Sequence, residues 1–187
     1  MTRMPVPETA AMTPEQKEIA DKILSIPGRS LAAGPWAPML RSPKLAAHML
    51  RLGNYIRHKT SLPRRLNELA ILITGREWTA QYEWYAHYKM ALEAGLDTKI
   101  ADAIALDKRP AGMAGDEEAV YDFCTELHRT KRVSDATYAK ARTQLSEAQI
   151  VDLIGVVGYY DLISMLLNVA EVPLPPGTPL PLKPLQR

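Results

Sequence analysis

Between Gln81 and Tyr88 the chain reads Gln-Tyr-Glu-Trp-Tyr-Ala-His-Tyr. Glu83 and His87 are spaced i, i+4, so on a helix of about 3.6 residues per turn both project from one face. A carboxylate next to an imidazole holds its tautomer, raises its basicity and makes a proton-transfer pair. Trp84 lies beside them and is a candidate substrate contact. Upstream, Leu66-Asn67-Glu68-Leu69-Ala70-Ile71-Leu72 puts Glu68 on one helical face with Ile71 and Leu72. A carboxylate among aliphatic side chains is costly unless it is paired or protonated. The link Thr79-Ala80-Gln81 is short enough to force the two helices to fold back on each other. Glu68, Glu83 and His87 are therefore expected to line one pocket as a catalytic acid–base set. Arg76, near the end of the first of these helices, is a candidate anchor for a substrate carboxylate.

Spacing alone leaves plainer readings open. A Glu–His pair on a helix is often a solvated surface pair, and Glu68 alone would serve as a satisfied structural carboxylate. Tyr82, Trp84, Tyr85 and Tyr88 equally suit ordinary packing. His48, His58 and His128 lack a comparable partner pattern and are expected to be structural or exposed. His48 and His58 do not share a helical face well, so no metal site is expected there. Cys124 is the only cysteine, which excludes an internal disulfide and a multi-cysteine zinc site. No metal or organic cofactor is expected.

The elements that must position these residues read as helices. Thr13 caps and Pro14 opens a helix that ends before Pro27-Gly28. Segment 34–38 reads as irregular. Ser42-Pro43 starts a helix to about 59, and further helices are expected over 64–78 and 82–94, the latter stopped by Gly95. Asp97 caps a short helix to about 106. Asp116, Ser134 and Ser146 start three more, the last with a Ser146–Gln149 capping box and a nearly all-round apolar surface to about 170. The β-branched runs sit inside longer helical patterns, so no strand is expected. The pattern is one domain over 1–187 of about eight helices, with a loose arm at 1–13 and a proline-rich strap at 172–187.

Composition narrows the function classes. The 187 residues are 47% hydrophobic, with 23 basic and 21 acidic side chains and a formal net charge of +2. A nucleic-acid binder would show a basic stripe, and nothing here calls for a membrane surface. No signal pattern opens the chain, and no stretch is expected to approach the roughly 20 apolar residues that span a bilayer. A cytoplasmic protein acting on a small molecule is the expectation.

The segment Leu66 to Leu72, followed by Tyr82-Glu83-Trp84-Tyr85-Ala86-His87 and Ala94-Gly95-Leu96, resembles the core of carboxymuconolactone decarboxylase-like proteins. Gly158-Tyr159-Tyr160 through Asn168 and Pro173 looks like the closing helix of the longer members. The likeness covers about 40–175 and is firmest over 62–96. It implies an all-α, single-domain helical bundle of the alkylhydroperoxidase D-like type, assembled as a homo-oligomer (trimer or hexamer). In the peroxide-reducing branch a glutamate precedes Cys-x-x-Cys-x-x-x-His. Matching His87 to that histidine puts Ala80 and Glu83 where the cysteines would be, and Glu68 where the glutamate would be. Thiol chemistry then has no cysteine pair to use. What remains looks like the cysteine-free branch: a cofactor-free lyase in which His87 protonates a carbanion left by decarboxylation and Glu68 orients or recharges it. A small cyclic or aromatic-derived acid or lactone is the implied substrate. The alternatives are a thiol peroxidase, which the missing cysteines oppose, and a non-catalytic small-molecule binding protein that kept the fold.

Overall fold

The computed structural model describes residues 2–185. Among them there are nine α-helices and no strand: α1 Pro14–Leu24, α2 Trp36–Met39, α3 Pro43–His58, α4 Arg64–Glu77, α5 Gln81–Glu93, α6 Thr98–Ala105, α7 Gly115–Thr130, α8 Asp135–Gln144 and α9 Glu147–Ala170. The chain is thus an all-α bundle in one domain, as the helical periodicity requires. The ninth helix is α2, in the segment read as irregular. Pro38 sits inside it at no cost, because the first N–H groups of a helix have no partner within it.

Helix α4 is the hub. From Leu66 to Arg76 every residue is buried, and the helix packs against α5, α7 and α9. A helix buried on every side over this run, with Asn67, Glu68, Thr74 and Arg76 among its enclosed residues, depends on such a shell. The core therefore closes around Leu69, Leu72, Val120, Leu153 and Val156. Helix α9 shares the centre, touching α3, α4 and α5. Its most apolar 18-residue window has a mean hydropathy of 1.8, which corrects the expectation that no stretch is long and apolar enough to span a bilayer. Half of that window is buried here as core, and its two acids are fixed by partners: Asp152 by Ser61 and Tyr55, Asp161 by Trp78 and His128.

Several helix ends follow from local chemistry. The Thr13–Gln16 and Ser146–Gln149 capping boxes both form, and Asp97 and Ser134 cap α6 and α8. Ser42 makes no side-chain cap bond. At the α4–α5 corner Thr79 takes φ 47°, while Thr79 and Ala80 donate their N–H groups to the carbonyls of Arg76 and Gly75. The chain reverses in three residues, and this corner sets α5 alongside α4.

Both ends of the described residues are tied down. The N-terminal arm, expected to be loose, supplies donors to the end of α9: Thr2 Oγ1 and Arg3 N both reach the Ala170 carbonyl, at 2.6 and 2.8 Å. That carbonyl has no partner within its own helix. The tail runs without helix and crosses the α4–α5 corner, where Leu182 is buried and exchanges two hydrogen bonds with the Gln81 side chain.

Candidate active site

The α4–α5 hairpin carries Glu68 and His87 into one another. Glu68 Oε2 lies 2.7 Å from His87 Nδ1, and His87 Nε2 stands 3.0 Å from Glu83 Oε1. The three side chains are almost completely enclosed, at 7, 4 and 4% exposure for Glu68, His87 and Glu83. The imidazole is thus clasped between two carboxylates, one per ring nitrogen. The Glu83 contact is a charge-pair distance without hydrogen-bond alignment, so Glu83 Oε1 is left with no hydrogen-bond donor. On a third side the Tyr160 ring meets the imidazole edge-on, 5.0 Å between centroids.

The electrostatics follow from this clasp. Burial works against a charged ring, but the negative charge of Glu83 and the hydrogen bond to Glu68 outweigh it. The His87 pKa is raised to about 9. At neutral pH the ring is therefore an imidazolium, a proton donor. The neighbouring phenols are held protonated: burial, then the Glu83 charge, pushes Tyr159 up to about 12 and raises Tyr160 well above the ordinary phenol value. Because the two carboxylates grip opposite edges of one ring, they do not converge on a common ion. No cluster suited to a metal occurs among the described residues.

Two cavities flank the clasp, and here the expectation of one shared pocket needs correction. Glu68 borders a cavity of about 400 Å³ with Arg57, His58, Thr60, Leu62, Arg64, Asn67 and Met90. Glu83 borders a cavity of about 70 Å³ on the other side, with Arg29, Arg57, Trp36, Tyr159 and Tyr160 among its walls. His87 lines neither and sits between them, because each ring nitrogen is covered by a carboxylate. Only the larger space is in the range of ordinary small-ligand sites.

Two expected substrate contacts lie elsewhere. Trp84 is buried against Tyr88 and borders neither cavity. One residue along a helix turns by about 100°, which carries the indole away from the face of Glu83 and His87. Arg76 is also buried and away from both cavities, and its Nη1 holds the Lys183 carbonyl of the tail at 2.8 Å. The cations of the site are instead Arg29, Arg57 and Arg64. Arg57 borders both cavities, and Arg29 stacks on Trp36, 4.4 Å from its centroid. His58 reports their field. Its pKa is lowered by burial first, then by Arg57, Arg29 and Arg64, with Glu68 opposing.

Neighbouring backbone geometry supports this arrangement. A side chain at Gly53 on α3 would collide with the Tyr159 ring. The glycine lets that ring close over the smaller cavity. Sequence reasoning missed the three arginines and Asn67 because they gather from a loop, α3 and α4 only once the chain is folded.

Comparisons with known proteins bear on the architecture. No protein-family model and no curated protein matches the sequence. Among solved structures, an uncharacterized peroxidase-related protein from Ralstonia eutropha JMP134, with an alkylhydroperoxidase AhpD core, superposes with a TM-score of 0.78. It is 17% identical, over 94% of this chain and 93% of its own. A protein of unknown function from Agrobacterium tumefaciens, linked by name to AhpD antioxidant defence, gives 0.62 at 15% identity, over 73% of this chain and 94% of its own. At such identities the likeness speaks to architecture, and on that ground the chain has the alkylhydroperoxidase D-type fold.

Proposed function

We propose that this protein is a cofactor-free acid–base enzyme acting on a small organic acid or lactone, with decarboxylation as the leading chemistry. The observation that carries this reading is the buried Glu68–His87–Glu83 clasp beside an arginine-walled cavity. Arg57 and Arg64 hold the anionic end of a substrate in the larger cavity. Loss of carbon dioxide from a substrate whose own carbonyl accepts the electrons leaves an enolate, and the enolate needs a proton. The His87 imidazolium supplies it through Glu68, which borders the cavity and bonds Nδ1. A proton from solvent restores the imidazolium after each turnover, and the Glu83 charge favours that return.

Peroxide reduction by thiols is opposed by the single cysteine. Cys124 is fully buried on α7, and burial, then Asp161, pushes its thiol far from thiolate formation. A reactive cysteine needs the reverse environment.

The test is turnover on candidate acids and lactones. His87→Gln should lower it by on the order of 10²-fold or more. Because that change strips the charge from between two buried carboxylates, Glu83→Gln is the companion variant. It keeps the His87–Glu68 bond and should move the alkaline limb of the pH–rate profile downward. Full activity in His87→Gln, or an unmoved limb in Glu83→Gln, contradicts the reading.

The protein is also proposed to be a homo-oligomer. Val151, Ile154, Met165 and Val169 leave an outward apolar stripe on α9. Light scattering that reports a 20.8 kDa particle at micromolar concentration would exclude it.

A further inference from the structure

The larger cavity is bordered by positive charge that the fold itself does not use. Arg57, His58 and Arg64 all line it, and among the described residues none of the three forms an ion pair. Arg57 makes one side-chain hydrogen bond, from Nη2 to the Met90 sulfur at 3.5 Å, and a thioether is a weak acceptor. Arg65, the residue after Arg64, shows the contrast: Asp116 and Glu117 both hold its guanidinium. Cations gathered at a cavity without acids of their own suit an anionic ligand.

His58 differs from the two arginines because its charge is conditional. It is the last residue of α3 and is exposed, so solvent protons reach the ring freely. The groups that act on it are Arg57 on its own helix, Arg29 in the loop after α1, and Arg64 and Glu68 on α4. Burial and the three arginines disfavour a charged ring, and only Glu68 opposes them. An anion entering this cavity reverses that balance. Its charge offsets the arginines at the ring, and a protonated ring can donate to the anion as they do. Proton and anion then tighten each other's binding by the same factor.

We propose that His58 is a third cationic contact, beside Arg57 and Arg64, for the anionic group of a ligand in the larger cavity, and that the arrival of this group draws one proton from solvent onto the His58 ring. The inference rests on the acid–base reading above for the identity of the cavity as the substrate site. It adds a condition to that reading: acids are captured more tightly as the pH falls through the ordinary histidine range. The His87 ring cannot be the one that takes up this proton, because it is already charged there.

The test is calorimetric titration of the intact protein with benzoate and with sulfate, anions that stay ionised from about pH 5.5 to about pH 8. Binding of at least one should tighten roughly tenfold from the upper to the lower pH, the equivalent of one pKa unit. Near pH 6.5, about the ordinary histidine value, its enthalpy should vary with the ionisation enthalpy of the buffer in the sense of proton uptake. His58→Gln keeps a hydrogen-bond donor and removes the charge, at an exposed helix end where no core contact is lost. In that variant binding through Arg57 and Arg64 should persist, while the pH and buffer dependences should vanish. Affinity that ignores pH in the wild type, an undiminished pH dependence in His58→Gln, or no binding of either anion at about 10 mM overturns the proposal. The two readings fail separately. Proton-coupled binding that is lost in His58→Gln, with no His87-dependent turnover of any acid, sinks the acid–base function and leaves this anion site standing. His87-dependent turnover with anion binding that ignores pH does the opposite.

Discussion

The molecule holds two buried histidines beside acids, and only one has a carboxylate at both ring nitrogens. His87 has a carboxylate at each ring nitrogen and a cavity beyond each carboxylate. His128, on α7, has Nδ1 at 2.8 Å from the Cys124 carbonyl, one turn back, and Nε2 at 3.1 Å from Asp161 Oδ1. Asp161 is also held by the Trp78 indole, and the group borders a crevice of about 130 Å³ with Glu77 and Lys131. Burial and an acidic neighbour are common to both. The difference is where the second nitrogen goes. A backbone carbonyl cannot take a proton, so His128 works as a strut joining α7 to α9. Two carboxylates can exchange one, so in the proposed function His87 is the relay.

The largest expected effect is on turnover. His87→Gln should cost on the order of 10²-fold or more, while His128→Gln should leave the rate per folded molecule within a few-fold. Equal losses in the two variants would break the distinction. Stability comes next. Removing the cation from between Glu68 and Glu83 should destabilise by about 3–5 kcal/mol, as breaking a buried ion pair does. Removing the His128 strut should cost about 1–3 kcal/mol through its unmatched partners. Urea denaturation of the two variants ranks them directly.

A smaller effect follows from the raised His87 pKa. The folded ring holds its proton to about pH 9, whereas the unfolded ring releases it near pH 6.5. Its contribution to stability is therefore complete below about pH 6.5 and is lost as pH rises toward 9. The wild type should lose denaturant resistance across that window, and His87→Gln should not show this loss. The smallest effect is expected for Cys124→Ser. It retains the backbone carbonyl that holds His128, so any native activity should be nearly unchanged. A peroxide consumption that depends on Cys124 would overturn the thiol argument.

The comparison also shows which features the sequence can display. The Glu83–His87 pair is local, and the i, i+4 rule suffices to see it. Glu68 was visible as a carboxylate on an aliphatic face, and the three-residue link to α5 brought it back toward His87. By contrast, Asp161 lies 33 residues from His128, and nothing in the spacing marks them as partners. Arg29, Arg57 and Arg64 come from the loop after α1, the end of α3 and the start of α4. Read singly, each is an ordinary solvated arginine. The anchor role fell instead to Arg76, which was close in sequence but is committed to the tail. Trp84 was misread because adjacency along a helix is not adjacency on its surface. The helices themselves were legible from caps and periodicity, apart from α2, which is too short for a period.

The most direct test of the relay is the ionisation of His87 itself. Ring ¹⁵N chemical shifts of labelled protein, with His87→Gln used to assign the signal, should show an imidazolium at pH 7 that titrates at about 9. A neutral His87 ring at pH 7, titrating at or below the ordinary histidine value of about 6.5, would contradict the account.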